Sequence, residues 1–526
     1  MKKSLLFGLM LGSMMNLSAT TLVVTSSDYK ETTVGSLPYC VKNAVDGDVI
    51  EFDFDGMEIN LAGGTMLIQG KSITINGINK KNNQKIALTG PGYFSIFEIS
   101  KSEEENSTAG TLFLNDIVIH NIVEGSDSAI KGIGGGKLVA TNCEFTNLES
   151  GTMGAVLNFN HSPFELERCI FKNNISSAEE PTEGGGAIRL YGTGSKVIIN
   201  SCSFIGNVSY NRGGAIYAQN GSEITAYNCT FTQNEAVSPD RKGTDGGTTD
   251  RGGALFLAGS SSNTTAHLIN CTIAGNIART AGGGLAMLSS GTGRSTATLI
   301  NTIIAYNIHE VSNPGYNDLR EFLKEGDNVG DVANAYNCIY GVATTAFNNR
   351  IKPNTVQITA ADAKVFETTE LFTIDNNKNN CIRPFIKEID RTPIAMIASD
   401  GIANGTGTPT TPLTAPAKLE IPQVDQMGND RPATPSIGAV EYKKLTSVKR
   451  IAEEGSIKIW SNGAFIYVSG LTNGAFISIY DVNGQLIKNV NLDNSGYFDL
   501  TGIGRKMIVV KVETDDIVKT TKILME

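Results

Sequence analysis

The sequence predicts an all-β protein: a single-stranded parallel β-helix followed by a small antiparallel β-sandwich. Three observations lead there. A phrase recurs, Gly-Gly-Ala-Ile and then, after a variable gap, Asn-Cys-x-Phe-x-x-Asn. It is clearest at 185–188 with 202–207 and at 213–216 with 228–234. The apolar segments inside each repeat are short and alternate, as in Cys-x-Phe, with no long run at helical spacing, which excludes helical repeats. From 456 onward, closely spaced short apolar runs separated by Asn-Gly pairs describe hairpins.

Composition agrees. A chain of 526 residues is too long for one compact core. Its 57 glycines and only 18% charged residues suit turn-rich β structure. A net charge of −10 argues against an electrostatic grip on nucleic acid or anionic membrane.

Residues 1–19 have the form of a secretory signal peptide: Lys2 and Lys3, a short apolar run from Leu5 to Met15, then Leu17-Ser18-Ala19. Export without a membrane-spanning segment is expected. Residues 20–56 form an N-terminal cap. Leu22–Val24 is a strand; Leu37, Cys40, Val41 and Ala44 fall at helical spacing with Pro38 in the first turn; a strand over 49–54 follows. A helix over the open end of a stack shields its first apolar layer.

The β-helix spans 57–442, with early coils to about 100 and the regular array from about 112 to 340. Aligned on the Cys position, the copies place Asp116, Cys143, Cys169, Cys202, Cys229, Cys271, Thr302 and Cys338 in one row, a period of roughly 32 residues. Two places on stand Val118, Phe145, Phe171, Phe204, Phe231, Ile273, Ile304 and Tyr340. Five places on, Asn recurs at 121, 174, 207, 234, 276 and 307. Cys and Phe should point inward and stack on their equivalents. Asn should turn the next corner and bond the same amide one coil away. The Gly pair should open the next strand, where positive φ is needed. The polar stretches 176–183, 238–250 and 259–265 read as surface loops. Residues 311–394 read as degenerate last coils and 404–424 as an extended loop. Residues 443–455 are a charged linker, and seven strands are expected within 456–526.

Three stretches resemble known families. Gly-Gly-Ala-Ile at 185–188 and 213–216, Gly-Gly-Ala-Leu at 252–255, and Phe-x-x-Asn at 171–174, 204–207 and 231–234 resemble the polymorphic outer-membrane-protein repeats. That resemblance implies a right-handed, pectin-lyase-like β-helix on a bacterial surface, several such proteins being adhesins. Those proteins end in a large membrane barrel, for which this chain offers no stretch. Asp400-Gly401 with 425–442 resembles the choice-of-anchor Q region, Ser436 standing where its second mark has Asp. Residues 456–526, through 479–484, 508–512 and 522–524, resemble the C-terminal sorting domain of the type IX secretion system. This implies a Bacteroidota-type Gram-negative bacterium and contact with its secretion machinery.

Chemistry is harder to place. The eight Cys lack zinc spacing, and as stacked neighbours they should be buried free thiols. The arginines at 189, 212, 251 and 279, with Glu183, Asp245 and Asp250, are the candidates for a lyase-type or hydrolase-type groove. Arg212 and Arg251 each precede a Gly pair and should stack, and a solvated edge is their expected place. Asp46, Asp48, Asp53 and Asp55 lack calcium-loop spacing. His120, His161, His267 and His309 are scattered. Sequons at Asn106, Asn174 and Asn207 carry little weight in a bacterium. No catalytic residue, cofactor or metal is assigned. The expected role is a non-enzymatic adhesin or a module binding extracellular glycans or host or neighbour-cell proteins. A polysaccharide lyase or glycoside hydrolase and a rigid spacer are the alternatives.

Overall fold

The computed structural model describes residues 19–103, 107–122, 125, 127–178, 183–237, 250–310, 315–316, 318–322, 332–342, 354–358, 364–367, 369–374, 379–389, 392–412, 415, 419–442, 450–451, 458–462, 465–469, 475–481, 486–492, 496–500, 507–513 and 517–524. Residues 1–18 of the expected leader, Asn106, Asp245, most of the loop 238–250, the middle of 176–183 and much of the linker lie outside the described residues, as do all or part of the Asn-Gly turns. The chain divides into two units, Met1–Tyr442 and Lys443–Glu526, each considered by itself.

The first unit is a parallel β-helix. In one coil, Ile188–Tyr191 leads to Lys196–Asn200, then to Ser203–Ile205 and the short Val208–Ser209. Each strand pairs in parallel with its equivalent one coil on, giving three walls. In the Gly-pair sheet Ile188 pairs Ile216, which pairs Leu255 and then Leu285. In the middle sheet Val197 pairs Ile224, then Ala266 and Ala297. In the Cys–Phe sheet Phe171 pairs Phe204, then Phe231, Ile273 and Ile304. Alternation sends every second side chain inward, and like meets like. Phe171, Phe204 and Phe231 stack at 4.7 Å between centroids, their rings tilted by only 6°.

Near the start of the chain a helix forms where the sequence predicts one. The helix Leu37–Asn43 begins at Ser36, whose hydroxyl accepts from Tyr39 N at 3.1 Å, and Pro38 sits in its first turn. Leu37, Cys40 and Val41 join the core.

The pairing corrects all three rows in their first copy, Ile119 and not Val118 standing beside Phe145. Val118 pairs Glu144 and Ile119 pairs Phe145, so Ile117, fully buried, occupies the Cys row and not Asp116. Asp116 has φ 56° and belongs one place earlier, with Asn142, Arg168, Ser201, Asn228, Asn270, Asn301 and Asn337, all left-handed. Asn121 likewise leaves the ladder for the outer row of Asn147 and Asn173, left-handed too. Each corner thus uses two adjacent residues. The outer one supplies the left-handed turn, a conformation Asn tolerates. The inner one, Asn174 through Asn307, is buried and does not bend the chain. Its Nδ2 donates to the next Oδ1 at 2.8, 2.8, 2.8 and 2.7 Å along the ladder 174, 207, 234, 276 and 307. Asp318 ends it, accepting from Asn307 N and Nδ2 at 2.8 Å each and from Val342 N at 2.7 Å.

The Gly pair also divides by role. Gly213 has φ 65°, a left-handed corner. At Gly214 a Cβ would lie 2.0 Å from Gly253 O, so this residue is small because the next coil is too close.

The last coils depart from expectation. Ile339–Tyr340 pairs in parallel with Val356–Gln357. Beyond that strand the described residues form two antiparallel strand pairs, Thr369–Ile374 with Asn379–Pro384 and Ile386–Ile389 with Thr392–Ala395. The described residues of 392–442 then run back along the outside of the stack, over the Cys–Phe sheet and, at Leu419 and Ile421, against Ile269, Ile300 and Tyr336 of the middle sheet. Gln426 Nε2 donates to Ser203 Oγ at 2.9 Å and its Oε1 accepts from Thr230 at 2.6 Å; Ala439 N donates to Thr272 Oγ1 at 3.0 Å. Arg431 pairs with Glu441 and donates to Asn228 Oδ1 at 2.8 Å. Asp425 and Gly428 make the turn that aims Gln426, Asp425 Oδ1 accepting from Met427 N and Asn429 N. This strap covers the outward polar row of the Cys–Phe sheet.

The second unit has all seven expected strands, in two antiparallel sheets around Ile466, Val468, Ile477, Ile479, Ile508, Val510 and Val512. A further short strand, Arg450–Ile451, pairs in parallel with Ile517–Val518.

Candidate functional site on the Gly-pair sheet

The three walls differ in what their outward rows carry. Alternation in Ile188–Tyr191 buries Ile188 and Leu190 in the core and turns Arg189 and Tyr191 outward. Strand pairing extends two outward rows. One runs Lys131, Asn158, Arg189, Tyr217, Phe256, Ala286. Its neighbour runs Asn160, Tyr191, Gln219, Ala258. Arg212 and Arg251 approach from the preceding corner, bridged in register between Gly184 and Ala281, so the expected stacking of this pair is present.

These side chains interlock. The Arg189 guanidinium lies 4.7 Å over the Tyr191 ring, and Nη1 donates to Asn158 Oδ1 at 3.3 Å. Arg212 lies 5.2 Å over Phe256 and donates to the Tyr217 hydroxyl at 3.4 Å, which donates to Gln219 Oε1 at 3.1 Å. Tyr217 and Phe256 are 1% and 0% exposed, giving the cluster an apolar floor. Arg189 is 9% exposed, and Arg279 is equally buried, its Nη1 3.7 Å from Asp250 Oδ2. Arg189 and Arg279 leave the solvated edge expected for these arginines, whereas Arg212 and Arg251 are half-buried. Burial pulls the Arg189 guanidinium below its ordinary value, opposed by Tyr217, Tyr191 and Glu183. Among the described residues, Nε of Arg189, Nε of Arg212 and Oδ1 of Asn160 are buried without a hydrogen-bond partner.

Elsewhere, a concavity of about 430 Å³ lies between the strap turn 425–428 and the corner residues Asn142, Arg168 and Ser201. Its charges satisfy one another: Lys85 holds Glu144 at 2.8 Å, Arg168 holds Glu167 at 2.9 Å, and Asn200 donates to Glu167 at 2.8 Å. Little polar capacity is left there for a ligand, unlike the arginine cluster.

The remaining sequence candidates scatter. Asp48 is buried and accepts from Thr20 and Val45. His120 faces Glu58, and His161 Nδ1 lies 2.8 Å from Thr193 O with its ring edge-on to Tyr191. Cys143, Cys169, Cys202, Cys229, Cys271 and Cys338 are free and buried in their row, as is Cys40 in the cap. Burial pushes Cys338 up to about 12 and Cys40 to about 11, so these two thiols stay protonated and inert. Among the described residues no three metal-ligating side chains converge, and no helix is long and apolar enough to cross a membrane. Sequence reasoning named Arg189 but missed Asn158, Asn160, Tyr191, Tyr217, Gln219 and Phe256. Aligning the strand after each Gly pair, with its alternation, would have put them in two outward rows.

Residues 201–219 match the Chlamydia polymorphic membrane protein repeat. The stretch holds Phe204–Asn207 and the Gly pair at 213–214, the residues that build one corner-to-corner step of the stack. No significant match was found among curated proteins or solved structures. The repeat match and the long parallel sheets fit a surface β-helix protein of the outer-membrane kind.

Proposed function

We propose that the chain is an exported protein of a Bacteroidota-type bacterial surface that binds extracellular glycans or proteins of a host or neighbouring cell without cleaving them. One observation carries this reading. The repeat residues are consumed in packing, whereas the Gly-pair sheet and the corner before it hold Asn160, Arg189 and Arg212 with hydrogen-bonding capacity unused among the described residues. Residues 456–526 then act as the type IX sorting domain that engages the secretion machinery, and the region around 400–401 and 425–442 as a choice-of-anchor closure. Support for these two roles is the family resemblance of their motifs. Incubating the full secreted chain with a panel of polysaccharides and cell-surface proteins, scoring binding and cleavage together, tests the proposal. Binding without product supports it, and cleavage of any member overturns it. A lyase is the second reading. What favours it is Arg189, a buried guanidinium whose charge the site disfavours, the kind of group that can serve as a base. The cleavage arm decides between the two.

A further inference from the structure

We infer that the Arg189–Arg212 cluster is the binding site for the anionic group of an acidic glycan, a carboxylate or a sulfate ester on a sugar ring. The inference rests on the binding reading above and names its ligand class. A guanidinium presents five donors in a rigid fork that matches an oxyanion two bonds at a time. Arg189 is nine-tenths buried, yet among the described residues its one hydrogen bond is to the amide oxygen of Asn158, at a long 3.3 Å, and its Nε has no partner. Arg212 repeats the pattern one coil on: a long bond to a neutral phenol and an Nε with none. Neither makes an ion pair among the described residues, although surface arginine and lysine elsewhere do, at Arg168–Glu167, Lys85–Glu144 and Lys137–Glu165. Burying a cation with its donors unfilled is costly unless something of opposite charge arrives. Both guanidiniums converge on Tyr217, the strand partner of Arg189 and the bond partner of Arg212. The rings beneath hold the two forks in place and lower the local dielectric, which strengthens any ion pair formed there. The opposing acid is Glu183, whose field reaches Arg189 but counts for less than its burial.

The neighbouring row favours a sugar over an acidic peptide. Asn160, one coil before Tyr191, offers a buried Oδ1 with no donor among the described residues. An unfilled acceptor near a cation calls for a ligand with a hydroxyl donor close to its anion, as a uronate or a sulfated sugar has. The donors of a polyglutamate chain are backbone N–H groups, set further from its carboxylates than ring hydroxyls are from that of a uronate.

The test uses the full secreted chain and measures dissociation constants by calorimetry. The probes are polygalacturonate, heparin, an uncharged galactan, polyglutamate and sodium sulfate alone. The variants are Arg189→Gln, Arg212→Gln and Arg168→Gln, the last removing the same charge from an exposed ion pair on another wall. At least one acidic polysaccharide should bind about tenfold or more tighter than galactan and polyglutamate, and weaken as salt rises. Polygalacturonate against heparin distinguishes carboxylate from sulfate. Arg189→Gln and Arg212→Gln should each lose about tenfold of that affinity, and Arg168→Gln less than about twofold. Should Arg189→Gln fail to fold, Arg212→Gln, on a half-buried residue, carries the test alone. Galactan binding that is as tight and indifferent to both substitutions would overturn the acidic assignment while leaving the binding module standing. Equal binding of polyglutamate would overturn the glycan. Tight binding of free sulfate with no gain from any polysaccharide would do the same. No binding of any panel member would overturn both readings.

Discussion

Replacing Asn234 by Ala should open a wound in the stack far larger than the side chain removed. Its amide makes four buried bonds. Oδ1 accepts from Asn207 N at 3.1 Å and Asn207 Nδ2 at 2.8 Å; Nδ2 donates to Phe204 O at 2.9 Å and Asn276 Oδ1 at 2.8 Å. After truncation, Asn207 Nδ2 keeps Phe171 O and Asn276 Oδ1 keeps Asn234 N, so these two lose one partner each. Asn207 N loses the acceptor the ladder gave it, and Phe204 O loses a donor. An unsatisfied buried group costs about 1–3 kcal/mol and a lost partner nearer 1 kcal/mol, so one of the first and three of the second sum to about 4–6 kcal/mol. A stack of coils need not unfold as one unit, so local opening free energy is the better observable. Hydrogen exchange of the coils flanking 234 should accelerate by the factor corresponding to that cost, while exchange near the cap at 37–43 stays unchanged. Asn121→Ala is the matched control: same residue type, same corner, but its amide accepts a single exposed bond from Asn147 at 3.2 Å. It should cost about 1–2 kcal/mol, most of it the strain of Ala at a left-handed φ of 53°. Equal effects at 234 and 121, or a change under about 1 kcal/mol at 234, would refute the idea that the inner ladder, and not Asn as a corner former, holds the coils.

Gly214→Ala should destabilise the same coils by about 3 kcal/mol or more, because its Cβ would meet Gly253 O at 2.0 Å and Glu235 N at 2.6 Å, both backbone; thermal melting reads it, and a silent substitution would deny the close approach. Asp318 has its pKa pushed up from 3.8 to about 7, chiefly by burial. The folded state therefore holds a proton that the unfolded state gives up near pH 4, so stability is full below that and falls as pH rises to about 7, by up to roughly 4 kcal/mol. Asp318→Asn should remove that slope, and a pH profile unchanged by the substitution would contradict it. Denaturing the protein without reductant should expose at least the seven thiols that are free and buried in the fold, and fewer would mean bridges.

The parts of the fold legible in sequence are those in which a residue touches its own equivalent. Phe171, Phe204 and Phe231 recur at one spacing because each ring stacks on the next. The row at 116–121 misled because Asn serves two physical ends here. It tolerates the left-handed corner and it chains amides, so Asn121 imitates a ladder residue while Ile122 holds that place beside Leu148. Asp318 could not be found by period at all: it lies eleven residues after Asn307, not a full coil, and reaches the ladder from the Gly-pair strand. The strap was illegible for a different reason. Gln426 meets Thr230, and Ala439 meets Thr272, across separations of 196 and 167 residues with no repeat to announce them. At the candidate site the arginine row was visible. Its burial was not, because that depends on Tyr217 and Phe256 standing beneath in the same outward row.

The central claim is a division of labour: repeat residues hold the stack, and the outward rows of the Gly-pair sheet bind. Affinity for the tightest-binding acidic polysaccharide, measured on folded Asn234→Ala and on the double variant Arg189→Gln/Arg212→Gln, tests it most directly. The double variant should lose most of its affinity and none of its stability, since it removes buried cations that no acid balances among the described residues. Asn234→Ala should lose stability and keep its affinity. The reverse pattern, with affinity lost at Asn234 and kept without the two arginines, would contradict the account.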